Sequence, residues 1–200
     1  MPTRERLIQA ARRLFAERGL DRTSIRAITR EAEANLGAVT YHFGSKEKLE
    51  EAVLDQVFGS MADRVGAASA AGARATERLA GVVHALFDFF EHNPDAPRLM
   101  IHLLVAVPPS ATAPPPAVVV HQRRTLQAIT DVVQAGVAAG EFRPVDPLLV
   151  AFSVVSQPVW FAIVRRFVAA ISGVPMDRAD QIAAVEHHIV DVVTRALVPA

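Results

Sequence analysis

Apolar residues recur at three- and four-residue spacing along nearly all of this 200-residue chain, and no segment alternates as a half-buried strand would. That pattern predicts an all-α fold of about nine helices. Caps and breakers divide them. A first helix over about 4–18 places Leu7, Ala10, Ala11, Leu14 and Phe15 on one face and stops at Gly19. Short helices follow at about 24–32 and 36–43, then a long one from Ser45 toward Ala68. An Ala/Gly/Ser stretch, Ala67 to Ala75, reads as a loop. Further helices are expected at about 76–92, 95–107, 117–139, 147–171 and 177–197, with the Pro-rich segment 108–116 a mobile loop between two of them.

Apolar residues make up 51% of the chain, which argues against disorder. There is no Cys, so disulfides, thiolate metal sites and Cys nucleophiles are excluded. The N-terminus, MPTRERLIQAARRLF, is charged and amphipathic rather than signal-like, and a cytoplasmic location is expected. The net charge of zero hides an asymmetry. Residues 1–48 carry ten Lys/Arg against six Asp/Glu, whereas 49–200 carry eleven against fifteen. A basic head, 1–48, on an acidic body, 49–200, is the distribution of a DNA-binding module joined to a second domain.

The stretch Thr23 to Leu49, TSIRAITREAEANLGAVTYHFGSKEKL, carries the most specific signal. Ser24 is placed to cap one short helix with Ile25, Ile28 and Ala32 facing inward, and Asn35 to cap the next. In that second helix Leu36, Val39 and Phe43 share the side expected to be buried. Gly37, Ala38, Thr40, Tyr41 and His42 are left outward, a surface suited to a DNA major groove. Tyr41 and His42 either reach phosphate and base edge or merely cover the core of a small three-helix unit; the Phe43-Gly44-Ser45-Lys46 run that follows favours DNA contact. Ser45 caps the next helix, with Lys46 and Lys48 in its first turn beside free backbone N–H groups. Thr23, Ser24 and Arg26 form the other edge of the motif, as phosphate contacts or as simple caps.

These residues resemble the N-terminal domain of the TetR family of transcriptional regulators over about the first fifty positions. The densest match is Ala38-Val39-Thr40-Tyr41-His42-Phe43-Gly44-Ser45-Lys46-Glu47-Lys48-Leu49. The resemblance implies that Tyr41 and Lys46 touch the DNA backbone. It further implies a homodimer on double-stranded operator DNA, with the last two long helices in the dimer interface, and usually a repressor. Two positions depart from the pattern. Glu33 stands where the turn commonly has Gly, which would force it to φ > 0 at roughly 1 kcal/mol. Thr29 stands where a small Ala is usual.

For the body the expectations are softer. Phe87, Phe152, Trp160 and Phe161, with His102 and Gln157 as polar groups, are candidates to line a pocket for a small hydrophobic effector; the alternative is ordinary core. Ile182, Val185, Ile189, Val192 and Val193 form a stripe expected at the dimer interface. Pro147 to Val164 is an eighteen-residue run without a charge, and Gln157-Pro158 at its middle favours a core helix over a membrane span. Seven histidines show no paired-ligand spacing, and no nucleophile elbow, phosphate loop or dinucleotide fingerprint occurs. Neither a metal, a cofactor nor catalysis is expected. The rival reading is a helical ligand-binding or interaction protein that has lost DNA binding.

Overall fold

The computed structural model describes residues 1–106 and 114–199. Among these the chain is all-α, with helices α1 Thr3–Arg18, α2 Ile25–Glu31, α3 Ala38–Phe43, α4 Lys46–Ala70, α5 Ala75–His92, α6 Ala96–Ala106, α7 Pro116–Ala138, α8 Pro147–Ser172 and α9 Ala179–Leu197. The helix order follows the sequence pattern closely. The Ala/Gly/Ser loop is shorter than expected, since α4 continues to Ala70. Residues 107–113, and with them most of the Pro-rich segment 108–116 expected as a mobile loop, lie outside the described residues.

Two compact units emerge. One is built from the described residues of Met1–Ser60 and Asn93–His121, the other from those of Met61–His92 and Gln122–Ala200. The residues of α4 belong to both. This division by packing does not coincide with the charge-based one into 1–48 and 49–200.

In the first unit α1 is central, packing against α2, α3 and α6. Its apolar face buries Leu7, Ala11, Leu14 and Phe15, while α6 contributes Ala96, Leu99, Met100 and Leu103 to the buried set. Each large side chain so buried contributes about 1.5–3 kcal/mol. A polar clasp supplements this contact. Arg12 donates to both carboxylate oxygens of Asp95 at 2.6 Å and to Asn93 Oδ1 at 2.8 Å. The ring of His102 covers the Gly19 turn so closely that a Cβ there would meet Nδ1 at 3.3 Å.

In the second unit α5 is central, packed against α8 and α9. It buries Leu79, Val82, Val83, Leu86, Phe87, Phe89 and Phe90. On α9, Ile182, Ile189 and Val193 are 7%, 5% and 7% exposed, so they belong to this core rather than to an open interface stripe. Val185 is half-buried, and of the expected set only Val192 is exposed. The reason is simple: the α9 stripe already has a partner in α5.

The α8 helix behaves in the opposite way. Asp146 caps it by accepting from Leu148 N at 2.8 Å and Leu149 N at 3.3 Å, Pro147 opens it, and Gly173 closes it in the left-handed region. Its buried residues are small, Ala151, Val154 and Pro158. Five large ones point away: Leu149, Phe152, Trp160, Phe167 and Ile171 are 64–69% exposed. At 100° per residue these fall on one face, forming a stripe about 33 Å long. Phe152 and Trp160 therefore do not line a pocket. By length and composition α8 could also cross a membrane.

Candidate nucleic-acid interface

The helix-turn-helix is assembled from local rules. Ser24 Oγ accepts from Ala27 N at 3.2 Å and so caps α2, and Ile28 and Thr29 are buried. The Thr29 hydroxyl donates back to Ile25 O at 3.0 Å, which satisfies it without a partner on another helix. The helix then ends in a Schellman arrangement: Glu33 N donates to Arg30 O at 3.2 Å and Ala34 N to Thr29 O at 2.8 Å. That geometry requires a left-handed residue, and Glu33 supplies it at φ 50°, the one non-glycine with positive φ among the described residues.

Next comes α3, whose cap is Gly37 rather than Asn35; the Asn35 carbonyl, not its side chain, receives Ala38 N at 3.0 Å. The later start rotates the outward set. Leu36 precedes the helix and is 55% exposed, not buried. Ala38 is buried beside Val39, so it faces the core rather than outward. Gly37 and Thr40 are exposed, and Tyr41 is 84% exposed with its ring 4.9 Å from His42, edge-on. His42 and Phe43 are half-buried, and the Arg4 guanidinium sits 5.2 Å above the Phe43 ring.

Beyond Gly44, at φ 84°, Ser45 caps α4 by accepting from Lys48 N at 3.3 Å. The Ser45 hydroxyl also hydrogen-bonds the Glu47 carboxylate, which, with backbone hydrogen bonding and the nearby Lys46 charge, holds that carboxyl below its ordinary range. Lys48 is exposed and pairs with Glu51 at 2.5 Å. Lys46 is not free: Nζ donates to Leu20 O at 2.8 Å and lies 3.0 Å from Glu50 Oε1.

On the other edge of the motif Ser24 and Arg26 are exposed, but Thr23 is only 1% exposed. Its hydroxyl donates to Gly19 O at 2.8 Å, knitting the turn after α1, so it is not an open phosphate contact. Of the pocket candidates in the body, Phe87 and Phe161 meet with ring centroids 5.7 Å apart, whereas Gln157 Nε2 turns back to Ser153 O at 3.3 Å. His102 lies in the first unit and the other five candidates in the second.

A short capped helix, a left-handed turn and a second short helix with an exposed aromatic define a helix-turn-helix DNA-binding protein. Comparison with known proteins agrees. Residues 7–53 match the bacterial regulatory proteins of the tetR family, and 76–193 match the tetracyclin repressor-like C-terminal domain. The chain belongs to the TetR family, and it is a DNA-binding transcriptional regulator, not an enzyme. It is 29% identical over 164 residues to the transcriptional repressor KstR2 of Mycolicibacterium smegmatis, covering 80% of this chain and 77% of that protein. Its fold is similar to the solved ketosteroid transcriptional regulator KstR2 of Mycobacterium tuberculosis, with TM-score 0.75 and 22% identity over 100% of this chain and 96% of that one. It is also similar to FadR from Bacillus subtilis in complex with stearoyl-CoA, with TM-score 0.75 and 16% identity over 96% and 98% of the two chains.

The turn itself is open to test. Replacing Glu33 by Gly removes the left-handed penalty and is expected to stabilise the protein by about 0.5–1 kcal/mol, raising the melting midpoint by roughly 2 °C. A lower midpoint in calorimetry would mean that the Glu33 side chain contributes more than its backbone costs.

Proposed function

We propose that the chain acts as a homodimeric cytoplasmic repressor, released from a palindromic operator by a small hydrophobic effector. The head, 1–48, reads DNA through Ser24, Arg26, Gly37, Thr40, Tyr41 and His42, with Lys46 and Lys48 at the start of α4. Thr23 and Ala38 are left out because both are buried. The observation that carries this reading is Tyr41. An aromatic side chain 84% exposed on a six-residue helix adds little to its own fold, yet its hydroxyl is free to donate to a phosphate.

The body, 49–200, supplies the second copy's contact and the effector site. A 33 Å stripe of exposed Leu, Phe, Trp and Ile on α8 is about the length of a helix-on-helix interface, and its one-sidedness suits a protein partner better than lipid on all sides. A second copy covers it isologously. Two heads held about 34–36 Å apart then meet successive major grooves, and an effector that favours a different spacing lowers DNA affinity. Support for an apolar effector comes from the relatives, one named for ketosteroids and one solved with stearoyl-CoA, and from the apolar interior around Phe87 and Phe161. α4, one helix with residues in both units, is the natural lever.

Three measurements test the proposal. Duplexes selected from a random pool should share a palindrome, and Tyr41→Ala should weaken binding to them about tenfold with an unchanged melting midpoint; undiminished affinity would remove Tyr41 from the interface. Trp160→Glu together with Phe167→Glu places charge on an outward face and should give a folded monomer by sedimentation. If the pair still sediments as a dimer, the contact is elsewhere. A ketosteroid or stearoyl-CoA should raise the melting midpoint and release the selected duplex. Stabilisation by sugars or polyanions alone would refute an apolar effector.

A further inference from the structure

The start of α4 is less basic than its two lysines suggest. Lys46, Glu47, Lys48, Glu50 and Glu51 follow within six positions, so three carboxylates accompany two ammonium groups. The two ion pairs among them differ physically. Lys48 and Glu51 are 66% and 53% exposed, a screened pair that opens at little cost. Lys46 and Glu50 are only 22% and 19% exposed, and their ammonium and carboxylate sit 3.0 Å apart. A phosphate arriving at Lys46 therefore has to compete with a carboxylate already in place. The other Lys46 partner is different in kind. Leu20 O is neutral and uses one of three ammonium donors, so it can stay bonded while the remaining donors change partner.

We infer that Glu50 is an intramolecular competitor that gates Lys46, holding DNA affinity below the level the head's cations would otherwise reach. Phosphate takes the place of Glu50, while the Leu20 carbonyl keeps the lysine aimed. Glu50 is thus a positioning residue acting through Lys46. The inference rests on the reading of Lys46 as a DNA contact.

A double-mutant cycle separates this gate from a simple nearby charge. Wild type, Glu50→Gln, Lys46→Met and the double variant are titrated with a labelled mixed-sequence duplex at fixed low salt, and each is checked by thermal melting. Glu50→Gln should bind about three- to fivefold more tightly, Lys46→Met should bind more weakly, and the gain from Glu50→Gln should vanish in the Lys46→Met background. A gain of equal size in both backgrounds overturns the gate, because Glu50 would then act only through space on the DNA. Unchanged affinity in Glu50→Gln overturns it as well. Lys46→Met with full affinity, beside a weakened Tyr41→Ala, overturns the gate but leaves DNA binding by α3 intact; undiminished binding in both would strike the DNA surface itself. Should the Met variant fail to fold, Lys46→Arg keeps the charge, and there the Glu50→Gln gain should persist; its absence would overturn the gate.

Discussion

A helix of six residues cannot hold itself together in water, because nucleation costs more than so few hydrogen bonds return. The DNA-reading surface depends on this constraint. α3 exists because Ala38 and Val39 are buried and its ends are stopped by Gly37 and Gly44. What remains outside, from Thr40 to Tyr41, is positioned by what is inside. α1 is the anvil for the arrangement, since it packs against both α2 and α3. The left-handed Glu33 is tolerated for the same reason: the Schellman bonds to Arg30 and Thr29 and the burial of Ile28 over-determine the turn.

Much of the first unit could be read from local chemistry. Ser24 and Ser45 act as the caps their positions suggest, and Glu33 adopts the conformation that the turn demands. Local rules failed where a boundary moved by two residues. With α3 beginning at Ala38 rather than Leu36, Leu36 went outward and Ala38 inward. Thr23 is not legible from sequence, because a hydroxyl near a helix start looks the same whether it caps, knits a turn or faces solvent; the bond to the Gly19 carbonyl makes the difference.

In the body, periodicity said that faces were buried but not by what. The α9 stripe is regular and apolar, and it is spent on α5. α8 is apolar around most of its circumference, so its sequence offers no polar side from which to infer orientation. Volume misleads there too. The inner face carries the small Ala151, Val154 and Pro158 beside Phe161, while Phe152, Trp160 and Phe167 lie outside. Small residues inside let α8 approach α5 closely, an arrangement visible only once both helices are placed. Of the pocket candidates, Phe87 and Phe161 are in ring contact, while Phe152 and Trp160 are on the exposed face.

The clasp of Arg12 on Asp95 and Asn93 bears on how such regulators can be recombined. Regulators of this kind invite treatment as cassettes, a reading module in front and a sensing module behind, joined at a seam near residue 48. In this chain the seam is not where the packing ends. Four buried residues of α6 and the acid that neutralises Arg12 come from a stretch that follows the whole of α4 and α5. A chimera spliced after the tyrosine helix would inherit a groove in α1 shaped for someone else's α6, with a guanidinium left looking for its carboxylate. Transplanting the specificity of this protein means carrying 93–106 along with the head, as one discontinuous graft.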